Sequence, residues 1–389
     1  MASVEELRER ARGWLAEHRQ EAPRDYGAIL PPELAEEGRR WQRLLAAHGW
    51  AGLHWPIEHG GHGLTPEHTA AWTTACALAE VPPWINMVGL VLAGGSILAF
   101  GTPDQQAAHL RGILHADQIW CQLFSEPGAG SDLAGLTTTA LQDGDEWVVN
   151  GQKVWCSNGR VADRGILLAR TDPTARPHAG ISFFLVDMHV AGIDVRPLRQ
   201  MTGGSEFDEV FLDDVRLPAD ALLGPLHGGW GIAMATLTNE RGHIGSAGTS
   251  LGRRLDAIAR QGATVAGNAV AQDRLTALLA RGRAIQAMGQ RQGPVASVHA
   301  SLAKLGMTEL LFDATMLEAD LAGPDAMLEG GAATRLLGAP GGRIAGGTTE
   351  VQKNIIGERL LGLPKEPKGL GQPARTAAAS RRITRSAVA

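Results

Sequence analysis

At 389 residues the chain is long for a single core and predicts two or three packed domains. Its 44% hydrophobic and 20% charged residues are those of a globular protein, and a net charge of −5 with both signs interspersed excludes a basic face for nucleic acid or an anionic membrane. Three cysteines, Cys76, Cys121 and Cys156, widely spaced and without a CxxC pair, argue against a disulfide framework or a zinc site and fit a reducing cytoplasm.

Residues 1–118 read as a helical domain. The start carries Val4, Leu7, Ala11, Trp14, Leu15 and His18 at helical spacing, and its glutamates and missing apolar run exclude a signal peptide. No apolar run reaches the roughly 20 residues of a membrane span, Val88 to Gly95 being broken by glycine. A second period runs through Leu34, Trp41, Leu44 and Leu45 before a Gly-rich loop from His54 to Gly63. His59 and His62 lie in that loop without further ligands, so they read as surface residues.

The texture changes at Ile119, and residues 119–225 read as a small antiparallel β domain. Asp143-Gly144 and Asn150-Gly151 each sit between strand-like segments and predict tight hairpins. Further strands are expected at 119–123, 165–170, 181–187 and 209–211, ending near Pro218. Residues 226–365 then read as a four-helix bundle with helices at 230–251, 269–290, 295–322 and 349–361. Residues 366–389, rich in Pro, Gly, Ala and Arg and without an acid beyond Glu366, predict a mobile tail. No internal repeat is evident.

Chemistry concentrates in two stretches. Phe124-Ser125-Glu126-Pro127-Gly128-Ala129-Gly130-Ser131-Asp132 follows a strand, and Val154-Trp155-Cys156-Ser157-Asn158-Gly159 comes some twenty residues later. Glycines allow close backbone approach to a ligand, and hydroxyls beside a tryptophan suit a flat heteroaromatic ring with polar edges. Alone, a Gly-rich turn is more often just a turn, and a tryptophan on a strand is usually core packing.

Together they resemble the acyl-CoA dehydrogenase family, over nearly the whole chain. Gly52-Leu53-His54-Trp55-Pro56 with Gly60-Gly61-His62-Gly63 is similar to the family's first-domain signature, Gly203-Gly204-Ser205-Glu206-Phe207 through Pro218 to its last β segment, and Ile344 to Gln352 to its C-terminal flavin-contacting helix start. The resemblance implies a helical domain, a β domain and a helical bundle, with FAD across a subunit interface and its ring in a cleft between β domain and bundle. It implies that Gln122, the Phe124 backbone and Ser125 line the flavin's pyrimidine side, that Trp155 covers the ring, and that Ser157 reaches toward N5. Thr348 and Glu350 match flavin contacts at the last helix start, where Thr349 and Gln352 have capping-box spacing. Ser131 and Arg241 match positions toward the CoA moiety.

Many family members carry the catalytic glutamate two positions before the Thr of the C-terminal motif, and here that position is Gly346. A smaller branch has it before an Arg in the first bundle helix, and Asn239-Glu240-Arg241 stands at the matching place. Trp230, Ala233, Leu237, Glu240, Ile244, Ala247 and Leu251 recur at steps of three and four, which predicts an apolar stripe carrying Glu240. The resemblance therefore implies α,β-dehydrogenation of an acyl-CoA thioester with Glu240 as base, electron-transfer flavoprotein or a similar acceptor as partner, and a homotetramer or a dimer of heterodimers.

The Arg-x-x-Phe-Gly segment that contacts the adenosine end of FAD in many relatives is absent, so those contacts stay unassigned. The Ile344 to Thr348 ending is similar to actinobacterial-type dehydrogenases, some of them heterotetramers with one inert subunit type. Such a non-catalytic subunit, a dehydrogenase of carrier-protein-bound acyl groups, and a flavin oxidase or monooxygenase of the same fold are the alternatives. A nicotinamide enzyme or hydrolase is disfavoured by the absence of G-x-G-x-x-G after a strand, of a P-loop and of G-x-S-x-G. Steroid side chains, branched acids and secondary-metabolite intermediates are all compatible acyl groups.

Overall fold

The computed structural model describes residues 3–24, 29, 31–242, 245–260, 267–289 and 296–364; side chains are described for these except 238–242, 245–250, 286, 289 and 296–299. The predicted tail at 366–389 lies outside the described residues.

The N-terminal helices are α1 (Val4–His18), α2 (Ala35–Ala47), α3 (Pro66–Ala79), α4 (Gly94–Phe100) and α5 (Pro103–Leu114). Ser3 starts α1 through a reciprocal cap: its hydroxyl accepts from Glu6 N–H at 3.2 Å, and the Glu6 carboxylate accepts from Ser3 N–H at 2.6 Å. Leu7, Ala11 and Leu15 are the buried side of the predicted period. Thr102 and Gln105 make the same cap on α5, with Pro103 in the first turn. The Gly-broken run Val88–Ala93 forms a buried π-helical turn leading into α4.

Tryptophans dominate this core. Trp41, Trp50, Trp55, Trp72 and Trp120 are all buried, and Trp50 stacks on Trp72 at 4.4 Å. A polar knot joins this layer to the sheet. Fully buried Gln42 donates to the carbonyls of Ile113 and Leu114, while its own oxygen accepts from the N–H groups of Ile85 and Asn86. Asn86 in turn accepts from Trp120 N–H at 3.1 Å, so α2, α5 and the first strand are held by one satisfied network.

Among the described residues the sheet has eight strands: β1 (Trp120–Leu123), β2 (Thr139–Asp143), β3 (Glu146–Ser157), β4 (Arg164–Arg170), β5 (Ile181–Asp187), β6 (Ile193–Leu198), β7 (Phe207–Pro218) and β8 (Leu222–Leu223). Their order is β6-β7-β3-β2-β4-β5-β8, with β1 beside β4. Most pairings are antiparallel as expected, but β1 runs parallel to β4 and β2 touches β4 in parallel at Thr139 and Arg170. The parallel pair is allowed because residues 124–163, carrying β2 and β3, separate β1 from β4, and parallel neighbours need such a long connection.

Asp143-Gly144 makes the predicted hairpin, with Asp143 opposite Glu146 and Gly144 at φ +65°. Asn150-Gly151 does not. It lies inside β3 at a bulge, where the register with β7 shifts between Val149 and Gly151. The glycine serves close approach instead, since a Cβ there would lie 2.3 Å from the Thr138 hydroxyl. β6 was not expected from the sequence: it is a short edge strand containing Pro197, and its apolar residues Ile193 and Val195 are only half-buried against the core.

The C-terminal region contains α6 (Gly229–Gly242), α7 (Gly245–Arg260), α8 (Ala269–Gly289), α9 (Ala296–Ala322), α10 (Gly331–Ile344) and α11 (Thr349–Arg359). Leu255, Ile258, Leu278, Leu310 and Leu317 are among its buried core. The helix expected at 230–251 is covered by α6 and the start of α7, residues 243–244 lying outside the described residues, and the expected four helices gain α10. Its Gly331, Gly338, Pro340, Gly341 and Gly342 read as loop. Packing and ion pairs override that propensity: Ala339 is buried, Arg335 pairs with Glu318, and Arg343 pairs with Glu309 while lying 4.7 Å over the Phe312 ring.

Candidate active site

The candidate surface is built where β1 leaves the sheet and where β3 bulges. Gln122 is half-buried on β1 opposite Ile166, and Phe124 is buried edge-on against Phe183 at 5.7 Å. Beyond the end of β1 the Phe124 carbonyl accepts from Lys153 Nζ at 3.1 Å, and the Ser125 carbonyl accepts from Val154 N–H at 2.9 Å. Ser125 is half-buried and Ser131 is exposed on the loop that follows.

Strand alternation would put Trp155 on the same face as buried Trp147, Val149 and Lys153. A bulge between Lys153 and Cys156 breaks that alternation, setting Trp155 at φ +62° and leaving it 55% exposed while Cys156 is buried. Left-handed backbone at a bulky residue costs energy and marks sites held by their surroundings. The indole meets the edge of Phe207 at 5.7 Å and 80°, with its remaining surface open. Trp155 is therefore not an ordinary core tryptophan. Next to it Ser157 is half-buried, and buried Asn158 (φ +62°) has an Oδ1 with no hydrogen-bond partner among the described residues.

Two buried acids hold these segments, and neither was singled out in the sequence. Glu126 Oε2 accepts from the N–H and hydroxyl of Thr137, and Oε1 accepts from Thr138 N–H and Lys153 Nζ. Burial pushes this carboxyl up, but Lys153 and the threonine donors outweigh it and bring it to about 2. Asp208, fully buried, accepts from Arg160 through both its backbone N–H and its guanidinium, pinning the turn after Ser157; burial still raises its carboxyl above the ordinary value. The signal for the first pair was available, because a lysine falls at position 153 in period two with Trp147 and Val149 on a buried face.

Thr348 and Glu350 sit at the start of α11. The N-cap is Thr348, whose hydroxyl accepts from Val351 N–H at 3.2 Å. The capping box expected from Thr349 and Gln352 is not formed. Thr349 turns to Glu309, and fully buried Gln352 donates to the Gly346 carbonyl at 2.9 Å, because the chain enters the helix through two left-handed glycines, Gly346 (φ +64°) and Gly347 (φ +92°). Lys304 of α9 donates to the Gly347 carbonyl at 2.6 Å. Glu350 is exposed, and its own backbone N–H and the Thr348 hydroxyl hold its carboxyl below the usual range. The hydrogen bonds of this turn named here go to α9 and α11, so it is organised separately from the Trp155 segment.

Glu240 and Arg241 fall in α6, and their side chains lie outside the described residues. The buried face of α6 runs through Gly229, Ile232, Ala233 and Thr236, while Trp230 and Leu237 of the predicted stripe are only partly buried. Thr236 and Ser96 share a hydrogen bond of 2.7 Å that fixes α6 against α4.

A helical layer, a β sheet carrying an exposed tryptophan on a bulge, and a second helical layer make up a three-part architecture, and the family it matches is one of flavoprotein dehydrogenases. The chain belongs to the acyl-CoA dehydrogenase family: it matches the family's N-terminal domain over residues 2–117, its middle domain over 121–215 and its C-terminal domain over 227–361. It is an acyl-CoA dehydrogenase, of a family that is FAD-dependent. It is 40% identical to acyl-CoA dehydrogenase IpdE1 of Mycobacterium tuberculosis, across 95% of this chain and 100% of that one, and 37% identical to IpdE1 of Mycolicibacterium smegmatis with the same coverage. Among solved structures it is similar to the Tcur3481-Tcur3483 steroid ACAD (TM-score 0.80, 26% identity, 93% of this chain and 98% of that chain) and to the ChsE4-ChsE5 complex of Mycobacterium tuberculosis (TM-score 0.77, 28% identity, 94% and 99%). No described helix is long and apolar enough to cross a membrane.

Proposed function

We propose that this chain binds FAD and desaturates an acyl-CoA thioester between Cα and Cβ, giving the trans-2-enoyl-CoA, with Glu240 as the base. The observation that carries the cofactor assignment is Trp155, a large aromatic surface held open on a strained bulge beside hydroxyls and a buried amide oxygen that has no partner among the described residues. Gln122, the Phe124 backbone, Ser125, Trp155 and Ser157 would hold the flavin ring, and Thr348 and Glu350 would contact it from α11. When bound, FAD supplies an acceptor for the hydride leaving Cβ.

The residues of the chain do the rest. Glu240 takes the α proton, and its place follows from α6: helical spacing carries the buried face of Ile232, Ala233 and Thr236 on to position 240. A desolvated carboxylate there is a stronger base toward a weakly acidic C–H. Excluding water protects the developing charge on the thioester oxygen. Ser131 and Arg241 bind toward the CoA moiety.

The acyl group we assign is bulky and ring-bearing, because a solved relative is described as a steroid ACAD. The same two-chain relatives favour a dimer of heterodimers over a homotetramer, with an electron-transfer flavoprotein or similar acceptor reoxidising the enzyme. A spectral titration of the purified flavoprotein with straight-chain, branched and steroid-side-chain CoA esters tests this reading. Bleaching of the flavin with a charge-transfer band from bound enoyl product is expected. Failure of every ester to reduce a flavin-loaded protein overturns it, and native mass measurement with and without co-expressed neighbours decides the assembly.

A further inference from the structure

We infer that the buried Lys153–Glu126 pair is a positioning device, holding the Phe124–Ser125 edge and the loop up to Thr138 in the shape that grips the flavin; the inference rests on the FAD assignment above. Three observations carry it. The pair is the most deeply buried ion pair among the described residues: Lys153 is 0% and Glu126 5% exposed, while in the next, Arg160 and Asp208, the arginine is 29% exposed. Its partners are backbone groups that no strand satisfies. β1 ends at Leu123 and β2 begins at Thr139, so the Phe124 carbonyl and the N–H groups of Thr137 and Thr138 fall outside the ladders, and it is Lys153 and Glu126 that satisfy them. Finally, Lys153 is two residues before Trp155, and the bulge that exposes the indole starts at the lysine.

A buried pair adds little net stability compared with apolar side chains of the same size, so stability alone does not account for it. Its distinguishing property is geometric. One cation on β3 reaches the end of β1, and one carboxylate with both oxygens doubly used closes the loop back onto the start of β2. The two segments assigned to the flavin ring, Phe124–Ser125 and Trp155–Ser157, are thereby fixed relative to each other.

The test uses the double variant Lys153→Met with Glu126→Gln, which removes both charges together and so leaves no unpaired buried ion. Thermal release of FAD, read by the fluorescence of freed flavin, is compared with melting of the apoprotein and with amide hydrogen exchange. Loss of a hydrogen bond to a charged group predicts flavin release faster by about ten- to a hundredfold. The apoprotein should melt close to wild type, with exchange accelerated at Thr137, Thr138 and Val154 and unchanged in the β4–β5 pair. Equal flavin release by wild type and variant overturns the inference while leaving the FAD assignment intact. So does a uniform loss of protection across β4 and β5, which is the mark of a merely structural pair. A wild-type protein that retains no flavin overturns both readings.

Discussion

Stability at acid pH offers a direct measure of how tightly Glu126 is held. Its carboxyl is brought to about 2 in the folded chain against an ordinary 4.5, so the folded pKa is the lower one. A depressed carboxylate contributes its full stabilisation above the unfolded value and loses it as pH falls from about 4.5 toward about 2. At 1.36 kcal/mol per unit the full contribution is about 3 kcal/mol, of which roughly 1–2 kcal/mol disappears between pH 7 and 3.5. The comparison protein is again the double variant Lys153→Met with Glu126→Gln, which has no titrating group at the site. Other depressed carboxylates, such as Glu318 between Arg335 and Arg254, remain in both proteins and cancel. Urea unfolding followed by the emission of the buried tryptophans, at pH 7, 5, 4 and 3.5, should show wild type losing roughly 1–2 kcal/mol more than the variant. Equal losses in the two proteins over that range would refute the reasoning, because the carboxylate would then be no better stabilised in the folded chain than in the unfolded one.

Glu240→Gln should retain FAD and bind acyl-CoA but slow flavin reduction by about 10²–10⁴-fold or more in stopped-flow bleaching; near-wild-type reduction removes Glu240 as the base. Trp155→Ala should scarcely change apoprotein melting, since the side chain is 55% exposed, yet weaken FAD retention or shift the flavin spectrum. An unchanged flavin affinity and spectrum would show that the indole touches no cofactor. Gly346→Ala should destabilise the chain by about 1–2 kcal/mol because φ is +64° there, with Gly346→Asn closer to wild type; a neutral alanine in thermal melts would contradict the left-handed turn.

Much of this protein could be read in its sequence because the deciding interactions are local. Ser3 and Glu6 cap α1, Leu7, Ala11 and Leu15 give its buried side, and Asp143-Gly144 closes a hairpin, all within a few residues of chain. The family motifs are equally contiguous, so the three-layer fold and the segments at Ser125, Trp155 and Thr348 were legible without any structure. Tertiary contacts decided the rest. Asn150-Gly151 has the chemistry of a turn, but Thr138 packs against the glycine and keeps it inside a long strand. The Gly- and Pro-rich stretch 331–344 lacks helix propensity and is helical because α9 supplies Glu309, Glu318 and Phe312 to its arginines. Trp155 would be buried by simple alternation, and only the bulge that begins beside Lys153 turns it outward. Lys153 itself stands on a buried face without any partner nearby in sequence, since the Glu126 that neutralises it is 27 residues away and meets it only when β1 and β3 come together.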